Sequence, residues 1–244
     1  MHHFFVQNEY SNKLLREHGF ENVTVSGDTR FDRVAKQIEQ DNSLDFMQEF
    51  VQQALCIVCG STWPEDDSIL LEYIKTKASP NVKFVIAPHN INSKEIENIA
   101  QKLGKTAAIY TKTNLKTLKN ANVLIVDTVG YLSRIYSYAQ IAYVGGAMGH
   151  GGLHNILEPA TFGVPILIGK NYNNFPEAIK LRELAGLYSV ATKQELASEL
   201  DKLISNAQHR SKTGMICGHF INSNTGATQT VMNTIAKLYG DRLV

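Results

Sequence analysis

One stretch of the 244-residue sequence concentrates groups that could do chemistry: Val144-Gly145-Gly146-Ala147-Met148-Gly149-His150-Gly151-Gly152-Leu153-His154-Asn155-Ile156-Leu157-Glu158-Pro159. Five glycines within eight positions let a backbone approach a ligand closely and adopt positive φ. Asn155 stands where a helix is expected to begin, and free N–H groups at a helix start favour a phosphate. Glu158 follows by three residues, one turn on and on the same face. A carboxylate there can accept both hydroxyls of a ribose while amides hold an anion. The same residues also suit a plain capped turn, with Asn155 as N-cap and Glu158 as its capping-box partner. The GxGxxG spacing of a dinucleotide site is missing, and so is the lysine of a P-loop.

Other groups at the ends of apolar runs join this stretch. Gly60-Ser61-Thr62 can donate hydroxyl and amide hydrogen bonds to an anion, or Ser61 or Thr62 can cap the next helix. His89 closes another run and can meet a phosphate or a sugar, though a lone histidine often only packs. Asp127-Thr128-Val129-Gly130 can offer backbone groups to a base. Asp28 and Arg30 can pair across a turn. Cys56-Ile-Val-Cys59 has CxxC spacing inside an apolar run, where its two cysteines point to opposite faces as core residues. No HxxxH or Cys/His cluster indicates a metal, and no GxSxG indicates a hydrolase nucleophile.

These groups need elements to hold them, and the sequence alternates strands with helices. Strands are expected at 22–27, 54–60, 82–87, 107–110, 123–127, 141–144 and 165–168, with 188–190 extended. Helices are expected at 66–77, 93–103, 132–138, 156–162, 175–185, 193–204 and 225–238. Thr192 and Glu195 form a capping box for the helix at 193. Such alternation makes an α/β domain with a parallel sheet covered by helices on both faces. Ligands of such sheets bind outside the carboxyl ends of the strands. Each polar or Gly punctuation point named above ends a strand, so all of them should gather on one rim. Residues 8–18 read as a helix with no strand before it, and 36–52 as polar and helical. We expect residues 1–20 to be a segment leading from an absent N-terminal domain, and 21–244 to be one nucleotide-sugar-binding domain. The start at Met1 reads as the middle of something longer.

Composition excludes some classes. The chain is 43% hydrophobic and 19% charged, with net charge +1, so no broad basic face for nucleic acid is expected. No run of about eighteen apolar residues is present, so no membrane-spanning helix is expected within it. Three cysteines make an odd, sparse set that fits a reducing compartment.

Together the motifs resemble those of the 3-deoxy-D-manno-octulosonic acid (Kdo) transferases. The resemblance runs through Phe5-Val6-Gln7-Asn8-Glu9, Ser26-Gly27-Asp28-Thr29-Arg30-Phe31-Asp32-Arg33-Val34, Gly60-Ser61-Thr62-Trp63, Pro88-His89 and Val126-Asp127-Thr128-Val129-Gly130. The glycine-rich stretch through Asn155, Leu157, Glu158 and Pro159 is its most specific part. The resemblance implies the Rossmann-like C-terminal domain of a GT-B glycosyltransferase. It implies CMP-Kdo as donor, a lipid A precursor as acceptor, and an inverting transfer without metal or cofactor in lipopolysaccharide biosynthesis.

By the same resemblance, nucleotide contacts fall on Ala87 and Pro88, on Val129, Gly130 and Tyr131, and on Asn155, Ile156, Leu157 and Glu158. Ser61, His89 and Gly152 complete the expected donor site. The family's catalytic glutamate, its membrane anchor and most of its acceptor site belong to the N-terminal domain. The full-length protein is accordingly expected at the cytoplasmic face of the inner membrane, and this chain alone is expected to be inactive. The sequence departs from the family at Pro88, where the family has Arg, and at Tyr131, where it has Glu. Arg30 or Lys170 is then a candidate for the missing positive charge. Two other readings remain: a GT-B transferase or epimerase using a UDP-sugar, and a non-catalytic nucleotide-binding module.

Overall fold

A computed structural model describes residues 2–240; Met1 and the last four residues of the expected 21–244 domain lie outside the described residues. The chain opens with β1 (Phe4–Val6), α1 (Glu9–Glu17) and β2 (Val23–Val25). The two strands pair in parallel, Phe4 opposite Val23 and Val6 opposite Val25, as a small sheet of their own. A strand therefore precedes α1, contrary to the expectation. Three residues are too few for a period-two pattern to register. That pairing joins residues on both sides of position 20.

Next come α2 (Thr29–Ala35) and α3 (Asp45–Val51). Asp28 caps α2, accepting the Arg30 N–H at 2.9 Å. The stretch read as polar conceals a core face: α3 buries Phe46, Met47, Phe50 and Val51.

The remainder alternates strand and helix: β3 (Leu55–Thr62), α4 (Pro64–Thr76), β4 (Val82–Pro88), α5 (Ser93–Leu103), β5 (Ala107–Ile109), α6 (Leu115–Asn120), β6 (Val123–Ile125), α7 (Leu132–Ile135), β7 (Ile141–Val144) and α8 (Leu157–Thr161). It ends with β8 (Ile166–Ile168), α9 (Pro176–Glu183), β9 (Leu187–Ser189), α10 (Lys193–Ser205), α11 (Ala207–Asn222) and α12 (Ala227–Tyr239). Strands β3 to β9 form one sheet in the order β5-β6-β4-β3-β7-β8-β9, with every neighbouring pair parallel.

A parallel sheet buries both faces, and β3 illustrates it. Ile57 and Cys59 enter one core cluster, while Cys56 and Val58 enter another across the sheet. Burial pushes the Cys56 thiol up to about 12 and raises Cys59 as well, so neither is a thiolate near neutral pH. The CxxC pair is core, as its place in an apolar run implied. No described helix is long and apolar enough to cross a membrane.

Because all seven strands run the same way, their carboxyl ends share one rim. Gly60 of β3 is in register with Val144 of β7, and Thr62 of β3 with Pro88 of β4. The expected gathering of strand ends is therefore observed.

Candidate nucleotide-sugar site

At the centre of the rim β3 and β7 end side by side, and the first two glycines of the rich run lie there. Their purpose is packing. A Cβ on Gly145 would sit 2.3 Å from the Ser61 carbonyl oxygen, and one on Gly146 would sit 2.0 Å from that of Gly152. Gly146 also has φ +95°. Their amides are already engaged: Gly145 donates to the Gly60 carbonyl at 2.9 Å and Gly146 to the Asp66 carboxylate at 2.8 Å. Gly60 is small for a similar reason, since its Cβ would fall 2.0 Å from the hydroxyl oxygen of buried Tyr136.

Asp66 ties this corner together. It is fully buried, and it accepts from the Trp63 N–H at 2.9 Å, the Gly146 N–H and the Tyr143 hydroxyl at 2.6 Å. Every one of those donors would be costly to strand inside the protein. The N-cap of α4 is Trp63, with Pro64 at the first helical position, so neither Ser61 nor Thr62 caps the helix. Ser61 instead adopts φ +53° at a register shift in β3.

Past Gly149, which is buried with the Glu65 carboxylate against it, the run reaches the surface. Among the described residues, the amides of Gly149, His150, Gly151 and Gly152 have no intramolecular acceptor. Beside them three rings are stacked, an arrangement with no signal in the sequence. The Trp63 and His89 rings lie 4.8 Å apart at 16°, and those of His89 and His154 lie 4.3 Å apart at 28°. The Trp63 indole N–H donates to His154 Nε2 at 2.9 Å. An indole nitrogen can only donate, so His154 Nε2 is unprotonated and Nδ1 carries the proton. Burial lowers the His154 pKa, and His89 beside it lowers it further. His154 is thus held neutral, with one N–H available.

Asn155 and Glu158 meet as the spacing implied, but with different partners. The Asn155 Nδ2 donates to Glu158 Oε1 at 3.1 Å, and Asn155 Oδ1 accepts the Leu157 N–H at 3.1 Å. Helix α8 is only five residues long and its N-cap is Ile156, so the expected helix at 156–162 with a useful dipole is corrected. Gly163, with φ +67°, turns the chain away just past its end. What remains is a half-buried carboxylate held by a carboxamide. Burial raises the Glu158 pKa, opposed by the Asn155 hydrogen bond and by Arg33.

The other expected contacts divide by burial. Ala87, Ile156 and Leu157 are buried in the core, so only their backbones can face a ligand. Pro88 is half-buried at the end of β4, and His89 donates its N–H to the Thr62 carbonyl. Val129 and Gly130 are exposed, with Gly130 at φ +94°. Tyr131 packs edge-on against Phe46 and Tyr110. Asp127 is turned to the end of β5, accepting the Thr111 N–H at 3.0 Å. Arg30 is not a spare cation. It binds Asp28 at 2.7 Å and Glu177 at 2.9 Å, and the Asp28 hydrogen bond contributes most to raising its pKa. Lys170 is exposed beside the rim.

Comparison with known proteins places this geometry in context. No family model matches the chain. A curated 3-deoxy-D-manno-octulosonic acid transferase of Haemophilus influenzae is 27% identical over 245 residues, covering 98% of this chain and 57% of that protein. The transferase of Chlamydophila psittaci is 30% identical over 173 residues, covering 68% of this chain and 39% of its own length. The chain thus spans about half the length of the curated relatives it matches. Among solved structures, the C-terminal CMP-Kdo binding domain of WaaA from Acinetobacter baumannii superposes with a TM-score of 0.61 at 20% identity. That match covers 80% of this chain and 99% of the other. It establishes a shared fold.

Proposed function

The chain is related by sequence to the Kdo transferases, and from that kinship we propose that it is the donor-binding part of a GT-B glycosyltransferase. The donor is CMP-Kdo and the acceptor a lipid A precursor. The single observation that carries this reading is the Asn155–Glu158 pair beside the amides of Gly149 to Gly152, which have no partner among the described residues. Glu158 accepts the two ribose hydroxyls, Asn155 fixes its orientation, and the free amides take the phosphate. Tyr131 offers a ring edge or face to the base. With Pro88 in place of an arginine, positive charge for the phosphate falls to Lys170, aided by the neutral N–H of His154.

The chemistry this supports is displacement at the anomeric carbon. The acceptor oxygen forms a bond there as the bond to the CMP phosphate breaks, and the departing phosphate keeps the electron pair. Donors fixed around that phosphate stabilise the charge it gains. A general base must reach the acceptor hydroxyl within hydrogen-bond distance. We assign that base, the acceptor site and the membrane contact at the cytoplasmic face of the inner membrane to an N-terminal domain. Residues 1–20 lead from that domain, and 21–244 form the donor domain.

Calorimetric titration of the 244-residue chain with CMP and with UDP tests the reading. CMP is expected to bind and UDP to bind at least tenfold more weakly. A preference for UDP overturns the donor assignment, and transferase turnover by this chain alone overturns the assignment of the base elsewhere.

A further inference from the structure

A recess of about 410 Å³ opens at the rim on the far flank of the glycine-rich loop, between that loop and the residues that follow β8. One wall is Gly149, His150 and Gly152; the other is Asn171, Asn173, Asn174 and Phe175. None of the nucleotide contacts expected from the sequence lies in it except Gly152. The volume is within the range of sites that hold small ligands.

The two walls are joined to each other. Asn171 donates its backbone N–H to the Ala147 carbonyl at 2.8 Å and its side-chain Nδ2 to the Gly149 carbonyl at 2.7 Å. Gly169 permits the close approach, because a Cβ there would lie 2.2 Å from the Met148 nitrogen. The recess is therefore a held shape.

Its two walls differ. The glycine-loop wall shares Gly149, His150 and Gly152 with the amides proposed to take the phosphate, whereas the wall from Asn171 to Phe175 contains no Lys, Arg, Asp or Glu. It offers the carboxamides of Asn173 and Asn174, which are exposed and have no hydrogen-bond partner among the described residues. It also offers the half-buried ring of Phe175, which a Cβ on Gly152 would approach to 3.7 Å. A carboxamide has a donor and an acceptor side by side, matching neighbouring hydroxyls. An aromatic ring suits the C–H face of a pyranose. On that wall, uncharged carboxamides and one ring suit a polyol, next to the amides that take the phosphate. Gly152 lines the recess and lies three residues before Asn155, so a ligand bound at Glu158 through its ribose can extend into it.

We infer that this recess is the subsite for the glycosyl group of the sugar nucleotide, with Asn173 and Asn174 as its hydroxyl-recognising residues. The inference rests on the donor reading above.

The test is titration of the wild-type chain and of the double variant Asn173→Ala/Asn174→Ala with CMP and with CMP-Kdo. Both asparagines are exposed, so the variant should fold, and its circular dichroism melting curve checks this. Wild type is expected to bind CMP-Kdo more tightly than CMP. The variant should lose about tenfold for CMP-Kdo, as two net hydrogen bonds allow, and stay within twofold for CMP. Equal wild-type affinities for CMP and CMP-Kdo, or a variant that binds CMP-Kdo as wild type does, overturn the subsite and leave the donor reading standing. Parallel losses for both ligands also overturn the subsite. Failure of wild type to bind either ligand removes the donor reading and the subsite with it.

Discussion

Gly145 and Gly146 are pressed on by backbone, whereas Gly151 and Gly152 of the same eight-residue run are each flanked by an aromatic ring. The first pair has its amides engaged by Gly60 and Asp66; the second pair has amides with no partner among the described residues. One motif thus carries two demands. Its opening half lets β3 and β7 end against each other, and its closing half leaves an edge of unpartnered amides, which the proposed function gives to a ligand. A glycine-rich stretch is therefore not a uniform phosphate cradle, and substitutions in its halves should part company.

The largest effect is expected at the packed end. Asp66→Ala strands the Trp63 and Gly146 N–H groups and the Tyr143 hydroxyl, and should cost about 3–4 kcal/mol in urea denaturation. Gly145→Ala, whose Cβ overlaps the Ser61 carbonyl, should cost about 2–3 kcal/mol. If either variant is as stable as wild type, the division of the run fails.

A smaller effect separates Asp67 from its neighbour Asp66. Asp67 lacks those hydrogen bonds. Burial first, and the Asp66 carboxylate in the same direction, raise its pKa to about 6. A raised carboxylate favours folding while protonated, so this contribution is full below about pH 4 and is lost as pH rises through about 6. Asp67→Asn should therefore stabilise the chain by about 1–2 kcal/mol at pH 8 and hardly at all at pH 4. Equal shifts at both pH values would remove the burial argument.

Gly151→Ala is expected to be smaller still. Its Cβ would meet the Trp63 ring at 3.3 Å, in ordinary φ, and stability should change by less than about 0.5 kcal/mol. CMP affinity should fall, because the methyl crowds the open edge. An unchanged affinity would place the anion elsewhere.

How far the sequence reveals this molecule depends on the span of each signal. Strands such as β3 and β7 are apolar runs stopped by glycine, β4 is one interrupted only by Lys83 and stopped by proline, and the sharing of one rim by their ends follows from strand–helix alternation. The Thr192 cap is local and legible, since Thr192 accepts the Glu195 N–H at 3.2 Å. Its partner differs by one residue: the Glu195 carboxylate takes the Ala191 N–H. Helix α11 has no expectation behind it. Its buried face includes Gly214, packed on the Gly163 backbone, so a small residue replaces the apolar stripe that would mark a helix.

At the site, Asn155 and Glu158 are three residues apart and their pairing is readable. The Trp63, His89 and His154 stack is not, because its members come from three strand ends and meet only through sheet order. The Asn173–Asn174 recess is hidden for the same reason. Arg30 was a candidate cation by sequence alone, and only the fold brings Glu177 to it.

The central claim is that Glu158 serves a ligand rather than the fold. Burial raises its pKa, so its charge favours the unfolded state, and the stability tied to its protonation is lost as pH rises through the folded value. Glu158→Gln therefore leaves stability at pH 7 unchanged or slightly higher. The deciding measurement is a calorimetric CMP titration of wild type and Glu158→Gln at pH 7, with Tm recorded on the same samples. CMP binding is expected to fall at least tenfold with Tm held or raised. Unchanged CMP affinity together with a lowered Tm would contradict it, and would leave the Asn155–Glu158 pair as a structural turn.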